Sequence, residues 1–122
     1  MRYMLLCYDD ERYWKGVGPA AHKAAMQEAV TLTHELDSKG QYVTASPLEP
    51  SANAVSVRIR DGKQAVTDGP FAETREVLGG YYIVDVENLD EAIRIAERHP
   101  GVGVGAVEIR PILEIPNLPA TK

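Results

Sequence analysis

The chain has 122 residues, of which 44% are hydrophobic and 25% charged, and its formal net charge at pH 7 is −5. These values are typical of one globular domain; they exclude a disordered, collagen-like or coiled-coil protein, and the acidic balance opposes a non-specific binder of nucleic acid or anionic membranes. No apolar run approaches the ~20 residues of a membrane span, the apolar start is too short for a signal peptide, and a single cysteine excludes an intramolecular disulfide, so we expect a cytoplasmic protein.

The first forty residues predict a strand, a loop and a long helix. Arg2–Tyr8 is apolar on both faces, which predicts a strand. Asp9–Gly18 is polar and contains two glycines, so we expect a loop there. Pro19 suits the first position of a helix, and we expect that helix to run to about Ser38 and to stop at Gly40.

The predicted long helix has one apolar face, with a histidine near its middle. At ~100° per residue, the apolar side chains that share an arc with His22 are Ala25, Met26, Ala29, Leu32 and Leu36. We therefore expect the His22 ring to be buried on this face.

The middle of the chain predicts strands, at residues 41–48, 54–60, 63–67 and 81–86. Val55, Val57 and Ile59 alternate with polar residues, which is typical of a half-buried strand. Asp61-Gly62 is a signal for a two-residue turn, so the second and third of these strands form a hairpin.

The last part of the chain predicts a short helix and a final strand. Asn88 can cap the helix, and Glu91 completes a capping-box pattern. We expect this helix to end at His99 and the final strand to cover residues 106–113. Residues 1–115 then form a single domain, and residues 116–122 form a flexible tail.

This order of elements predicts an α+β fold of the ferredoxin-like type, βαββαβ, with an inserted short hairpin. The first strand and the strand at 81–86 then lie at the centre of the sheet, and both are apolar on each face. Two helices cover only one face of such a sheet, and an exposed apolar face of that size favours association. We therefore expect a homodimer in which a second copy covers the other face.

A turn-rich motif, Asp68-Gly69-Pro70-Phe71, follows the predicted hairpin, and Leu78-Gly79-Gly80-Tyr81-Tyr82 comes shortly after it. With these flanks the sequence resembles the DGPF subgroup of the YCII-related proteins. The resemblance covers most of the chain, from Met1 to Pro111.

The resemblance implies a ferredoxin-like dimeric α+β barrel. It also implies a pocket in which a histidine of the first helix, here His22, meets the aspartate of the motif, here Asp68. Members of this family are often encoded beside extracytoplasmic-function sigma factors, so a regulatory role with a sigma factor as partner is a further expectation.

His22 and Asp68 together favour acid–base chemistry. A helix start and burial both disfavour imidazolium, and a neutral imidazole near pH 7 can act as a general base. The Asp68 carboxylate would hold one ring nitrogen and fix the tautomer. The expected catalytic residues are therefore His22 and Asp68, acting on a small anionic or phenolic molecule between the first helix and the Asp68 loop.

Four further residues are expected to bind this small-molecule ligand, namely Tyr8, Gly69, Pro70 and Phe71. Tyr8 points away from the Cys7 face, and Gly69 lets a ligand approach the backbone closely. Two other interpretations stay open: a non-catalytic ligand-binding or regulatory protein, and a structural dimer without a ligand. Asp68 is also an ordinary turn former before Gly-Pro.

The remaining candidates predict no metal and no cofactor. The histidines lack a metal-binding spacing, and Val102–Gly105 lacks the dinucleotide fingerprint. His34 lies on the polar side of its helix, and His99 at a helix end would interact with the helix dipole. We expect Cys7 to be an inert buried thiol.

Overall fold

A computed structural model describes residues 1–121 and shows one four-stranded antiparallel sheet, three α-helices and a separate hairpin. In chain order the elements are β1 (Arg2–Asp9), α1 (Glu11–Val17), α2 (Pro19–Ser38), β2 (Tyr42–Pro47), a 3₁₀ turn (Ser51–Asn53), β3 (Val55–Arg60), β4 (Lys63–Asp68), β5 (Val77–Asp85), α3 (Leu89–Glu97) and β6 (Ala106–Pro111). The predicted α+β fold is confirmed.

The strands of the main sheet follow the order β2-β5-β1-β6. This is the ferredoxin-like order, and it places the two strands with apolar residues on both faces at the centre, as predicted. β1 pairs antiparallel with both neighbours, with a bulge between Cys7 and Tyr8 opposite β5.

The core lies between one face of the sheet and the helices α2 and α3. Its buried side chains come from β1, α2, β5, the residue after β5 and α3: Tyr3, Leu5, Cys7, Leu32, Leu36, Tyr82, Val84, Val86, Ala92, Ile95 and Ala96. Leu5, Leu36 and Val84 are fully enclosed, and each such side chain contributes ~1.5–3 kcal/mol by leaving water. The buried side chains that alternate along β1 and β5 therefore define the face of the sheet that packs against the helices.

The predicted loop at residues 9–18 is wrong, because most of it forms α1. Asp10 caps this short helix by accepting a hydrogen bond from the Arg12 backbone N–H at 3.0 Å. Glu11 fixes the helix to the distant 3₁₀ turn, because its carboxylate accepts hydrogen bonds from the Ser51 N–H and hydroxyl. The two glycines that suggested a loop lie in the last turn of α1 and at its C-cap.

The predicted burial of His22 is also wrong. Only Leu32 and Leu36, in the second half of α2, are buried. The first turns of α2 lie beside α1, so His22 is exposed and its ring stacks on Trp14 with the centroids 5.4 Å apart. An apolar arc on a helix shows which face can be buried but not how far the sheet extends beneath it.

β3 and β4 form a hairpin outside the main sheet. Asp61 and Gly62 have φ values of 52° and 75°, as the two central positions of a type I′ turn require, so the predicted hairpin is confirmed. One face carries four exposed apolar side chains, Val55, Val57, Ile59 and Val66. The other face carries Arg58, Arg60 and Lys63. Residues 55–68 are called the arm below.

The C-terminal segment follows β6 without further helix or strand in residues 112–121. Lys122 lies outside the described residues. The flexibility of the tail at 116–122, and the domain boundary at 115, stay predictions.

Candidate functional site

A cavity of about 210 Å³ lies between the middle of α2 and the end of the sheet where β1 stops. Its apolar wall comes mainly from α2 and β2, with Met26, Ala29, Val30, Tyr42 and Ala45. Among the residues with polar side chains, Cys7, Asp9, Thr33, Tyr82 and His99 line it, and Ser46 and Tyr81 border it from strand positions that alternate to the other face of the sheet. Within the described part of the chain, no lysine or arginine lines this cavity.

Asp9 is the last residue of β1, and alternation puts it on the same face as Cys7. Two glycines lie against its carboxylate: a Cβ built on Gly79 would lie 2.6 Å from Oδ2, and one built on Gly101 would lie 2.8 Å from Oδ1. Within residues 1–121, Asp9 Oδ1 is buried and has no hydrogen-bond partner. A buried acceptor without a donor costs ~1–3 kcal/mol or more, so this oxygen marks a position suited to a donor group of a ligand.

His99 follows α3 and completes the polar cluster. The Tyr82 hydroxyl lies 2.8 Å from His99 Nδ1, so that ring nitrogen is already engaged. The other nitrogen, Nε2, lies 3.0 Å from the Cβ position of Gly101, the same point that lies 2.8 Å from Asp9 Oδ1. Burial lowers the pKa of His99, and the nearby Asp9 carboxylate opposes that shift in part. The ring is therefore mainly neutral near pH 7, with Nε2 beside Asp9.

Cys7 and Tyr82 keep their protons in this environment. Burial, with a smaller contribution from the charge of Asp9, raises the pKa of the Cys7 thiol to about 12. Burial likewise raises the pKa of Tyr82, with smaller contributions from Cys7 and Asp9. Because a thiolate and not a thiol is the nucleophile, Cys7 is an inert wall of the cavity. Its predicted burial is confirmed.

The structure does not bring His22 and Asp68 together by a direct contact. Among the hydrogen bonds and ion pairs of residues 1–121, none joins these two side chains. Asp68 is exposed at the end of β4, opposite Val55, and neither His22 nor Asp68 lines the cavity. Their role as a catalytic pair stays a prediction.

The predicted ligand-binding residues lie around two more open grooves. Tyr8, Pro70 and Phe71 line a groove of about 620 Å³ at the base of the arm. Gly69 and Pro70 line a second groove together with Asp10 and Arg75. Gly69 has a φ of 92°, a conformation that favours glycine, and its N–H donates to Ala54 O at 2.6 Å. Ligand binding by these four residues stays a prediction.

The sequence reading missed Asp9, Tyr82 and His99 as one site. These residues are 17 or more positions apart in the sequence, and only the fold brings the end of β1, the middle of β5 and the end of α3 together. The available signals were a carboxylate directly after an apolar strand and a histidine followed by Pro-Gly. Either signal alone is common in structural roles.

Residues 1–121 contain neither a candidate metal site nor a candidate membrane span. This part of the chain contains no group of three or more His, Cys, Asp and Glu side chains placed to hold a metal ion. None of its helices is long and apolar enough to span a membrane.

Comparison with known proteins assigns the family. The sequence matches the family model of the YCII-related domain over residues 1–116, so the chain belongs to the YCII-related family. It is similar to an uncharacterised protein of Rhizobium meliloti (strain 1021), with 32% identity over 114 residues and 92% of each chain covered. The predicted family membership is confirmed, and the assignment to the DGPF subgroup stays a prediction.

The structure was also compared with solved structures. One of these is 5-chloro-2-hydroxyhydroquinone dehydrochlorinase from Burkholderia phenoliruptrix, in complex with 2,5-dihydroxybenzoquinone. The match has a TM-score of 0.46 and 14% sequence identity, and it covers 93% of this chain and 94% of that chain.

Proposed function

We propose that this protein is an enzyme that performs acid–base chemistry on a small hydroxylated molecule in the cavity beside Asp9 and His99. The observation that carries the proposal is the unpartnered, buried Asp9 Oδ1 next to a largely neutral histidine. A titratable group whose pKa is shifted by burial, beside a charged partner in a cavity, is typical of an active site.

His99 is the proton acceptor in this proposal. Its Nε2 takes a proton from the ligand, and the imidazolium that forms is stabilised by the Asp9 carboxylate next to it. For Nε2 to accept this proton, the neutral ring carries its own proton on Nδ1 and donates it to the Tyr82 hydroxyl oxygen, a contact that also orients the ring. The proton taken is that of a ligand hydroxyl, and the imidazolium returns a proton to a ring carbon, so the C–OH becomes C=O and a C–H bond forms. The same residue thus acts as base and then as acid. Such a positioned base contributes ~10²–10⁴-fold in rate.

The shape of the cavity favours a phenolic ligand. The space of about 210 Å³ suits one small ring, and Tyr42 contributes aromatic surface to its wall. A ring hydroxyl can donate to Asp9 Oδ1 while the ring contacts Met26 and Val30. Most small-molecule sites combine an apolar wall with a few polar groups in this way.

Proton transfer to a bound ring can be measured directly. The protein is incubated in D₂O with a panel of hydroxylated aromatic compounds, and deuterium incorporation or product formation is followed by NMR. We expect activity with at least one compound and a loss of ~10²-fold or more in His99→Gln. His34→Gln, an exposed histidine on α2, is the control. No reaction across the panel, or equal rates for wild type and His99→Gln, would contradict the proposal.

We further propose that the protein is a homodimer. The sheet face opposite the helices carries Met4, Leu6, Tyr81 and Ile83, all only partly covered in one chain. The arm adds a second exposed apolar surface, and a two-stranded hairpin on its own is marginally stable in water. A second copy covering these surfaces supplies the missing contacts.

A further inference from the structure

The cavity beside Asp9 has the wrong charge for an anionic ligand. Within the described residues its lining contains the Asp9 carboxylate and no lysine or arginine. Nearby arginines are engaged elsewhere: Arg12 and Arg75 both pair with Asp10, and Arg98 pairs with Glu35. His99 supplies little positive charge near pH 7, because burial lowers its pKa. Among residues 1–121, no group on the cavity wall offsets a negative charge on a ligand.

An uncharged hydroxyl fits the same wall well. It can donate to Asp9 Oδ1, the buried oxygen that has no partner within residues 1–121. A carboxylate in that position offers no proton and adds a second negative charge in a poorly solvated space, where like charges strongly disfavour each other.

We propose that this cavity selects uncharged, hydroxyl-bearing ligands and that Asp9 is the residue that sets the selectivity. This selectivity rests on the proposed function in one respect only, namely that the cavity is a ligand-binding site. It narrows the small anionic or phenolic molecule predicted from the sequence to the uncharged phenolic class.

The test compares two ligands of nearly the same shape that differ in charge. Binding of 3-hydroxybenzamide and 3-hydroxybenzoate to the wild-type protein is measured by calorimetry at pH 7.5. We expect the amide to bind at least about tenfold more tightly, since the benzoate brings its charge within one ring width of Asp9. This comparison needs no variant and no turnover.

Asp9→Asn then assigns the selectivity to its cause. We expect the amide-to-benzoate ratio to fall about tenfold in this variant, because the amide side chain no longer repels the carboxylate. Asp37→Asn removes the same charge from an exposed position outside the cavity and should leave the ratio unchanged. Circular dichroism checks that each variant folds.

Equal affinities of the two ligands in wild type would overturn the inference, as would an unchanged ratio in a folded Asp9→Asn. Absence of binding by both ligands at millimolar concentration would overturn it too, because the cavity would then not accept a hydroxylated ring. If the wild-type protein prefers the amide but His99→Gln keeps full turnover, the result contradicts the proposed function and leaves the inferred selectivity intact.

Discussion

The Tyr82 hydroxyl lies 2.8 Å from Nδ1 of His99, and the two rings meet edge to face with centroids 5.5 Å apart. Tyr82 comes from a central strand, so its position is fixed by the core, whereas His99 lies in the turn after α3. The contact therefore anchors a residue on an irregular segment to the most rigid part of the fold. It also leaves Nε2 as the ring nitrogen beside Asp9.

Tyr82→Phe should lower activity without unfolding the protein. The ring still fills its place in the core, but His99 loses the partner that orients it, so we expect turnover to fall by about tenfold. The pH midpoint of activity should shift as well, because a hydrogen bond to His99 is lost. The pH–rate profile of the variant is the measurement.

Tyr3→Phe is the matched control for this substitution. Tyr3 is another buried tyrosine of the sheet, and its hydroxyl contacts Met1 rather than the cavity. Tyr3→Phe should lose ~1 kcal/mol of stability or less, and Tyr82→Phe ~1–3 kcal/mol, because it leaves His99 Nδ1 without its partner. If Tyr3→Phe changes the pH profile as much as Tyr82→Phe does, the orienting role of Tyr82 is wrong.

Gly101→Ala should disturb the site through space alone. A Cβ there would lie 2.8 Å from Asp9 Oδ1 and 3.0 Å from His99 Nε2, so both side chains must move. A displacement of this kind at reacting groups can reduce the rate by ~10²-fold. The measurement is turnover in Gly101→Ala against Gly103→Ala, whose new methyl meets nothing within 4 Å. Equal activity of the two variants would place the chemistry elsewhere.

The chain could be predicted well wherever its own periodicity decides the structure. The alternation in β1 and β5 placed both strands at the centre, and Asp61-Gly62 predicted the hairpin correctly. The sequence predicts a strand at 81–86, by contrast, yet β5 begins at Val77 and includes Gly79 and Gly80. Both strand positions are occupied by glycine because the Asp9 side chain and the Ser46 backbone approach too closely to admit a Cβ. These close approaches involve segments that are distant in the sequence, so no local pattern predicts them.

The candidate site could not be predicted, for the same physical reason. His99 has an ordinary explanation as a helix-end histidine until Tyr82 and Asp9 are known to face it. His22 had a convincing position on an apolar arc, but α1 lies where the sequence predicted a loop, and Trp14 stacks on the exposed ring. The placement of His99 and the exposure of His22 both depend on long-range packing, which no local sequence pattern predicts.

His99 should make the protein less stable in mild acid. Its folded pKa lies below its ordinary value of 6.5 because burial disfavours the cation. The unfolded chain therefore binds more protons than the folded one between these two pKa values, and stability falls as pH drops through that window. Urea unfolding at pH 8 and at pH 5.5 measures this loss.

His99→Gln is the comparison that isolates this contribution. The variant should show a smaller loss of stability between pH 8 and pH 5.5 than wild type, because glutamine does not titrate. Asp10, whose pKa is lowered mainly through its bonds with Arg12 and Arg75, titrates below 3.8 and does not contribute in this range. The same pH dependence in both proteins would show that His99 is not buried in its neutral form.

If two chains associate through the uncovered sheet face, one charged side chain introduced on that face should separate them. Leu6 lies on that face in the central strand β1, and Leu6→Asp should convert a dimer of 13.4-kDa chains into monomers. Ile93→Asp, on the outer side of α3, makes the same kind of change away from that face and should leave the dimer intact. Sedimentation at micromolar concentration decides the result. A wild-type monomer would contradict the dimer.

The last prediction concerns the two competing pairs, His22 with Asp68 and His99 with Asp9. His22 and Asp68 are both exposed, so His22→Gln and Asp68→Asn should each change stability by ~0.5 kcal/mol or less. If the cavity is the active site, both variants keep wild-type turnover and ligand affinity, whereas Asp9→Asn and His99→Gln lose them. The four substitutions each replace a titratable group by an uncharged amide, so the comparison is matched.

Loss of activity in folded His22→Gln and Asp68→Asn, with Asp9→Asn and His99→Gln unaffected, would place the chemistry between α2 and the Asp68 loop. Retention of activity in all four would place the chemistry at neither pair. A wild-type protein without activity would favour the regulatory interpretation, with a sigma factor as the partner to test first.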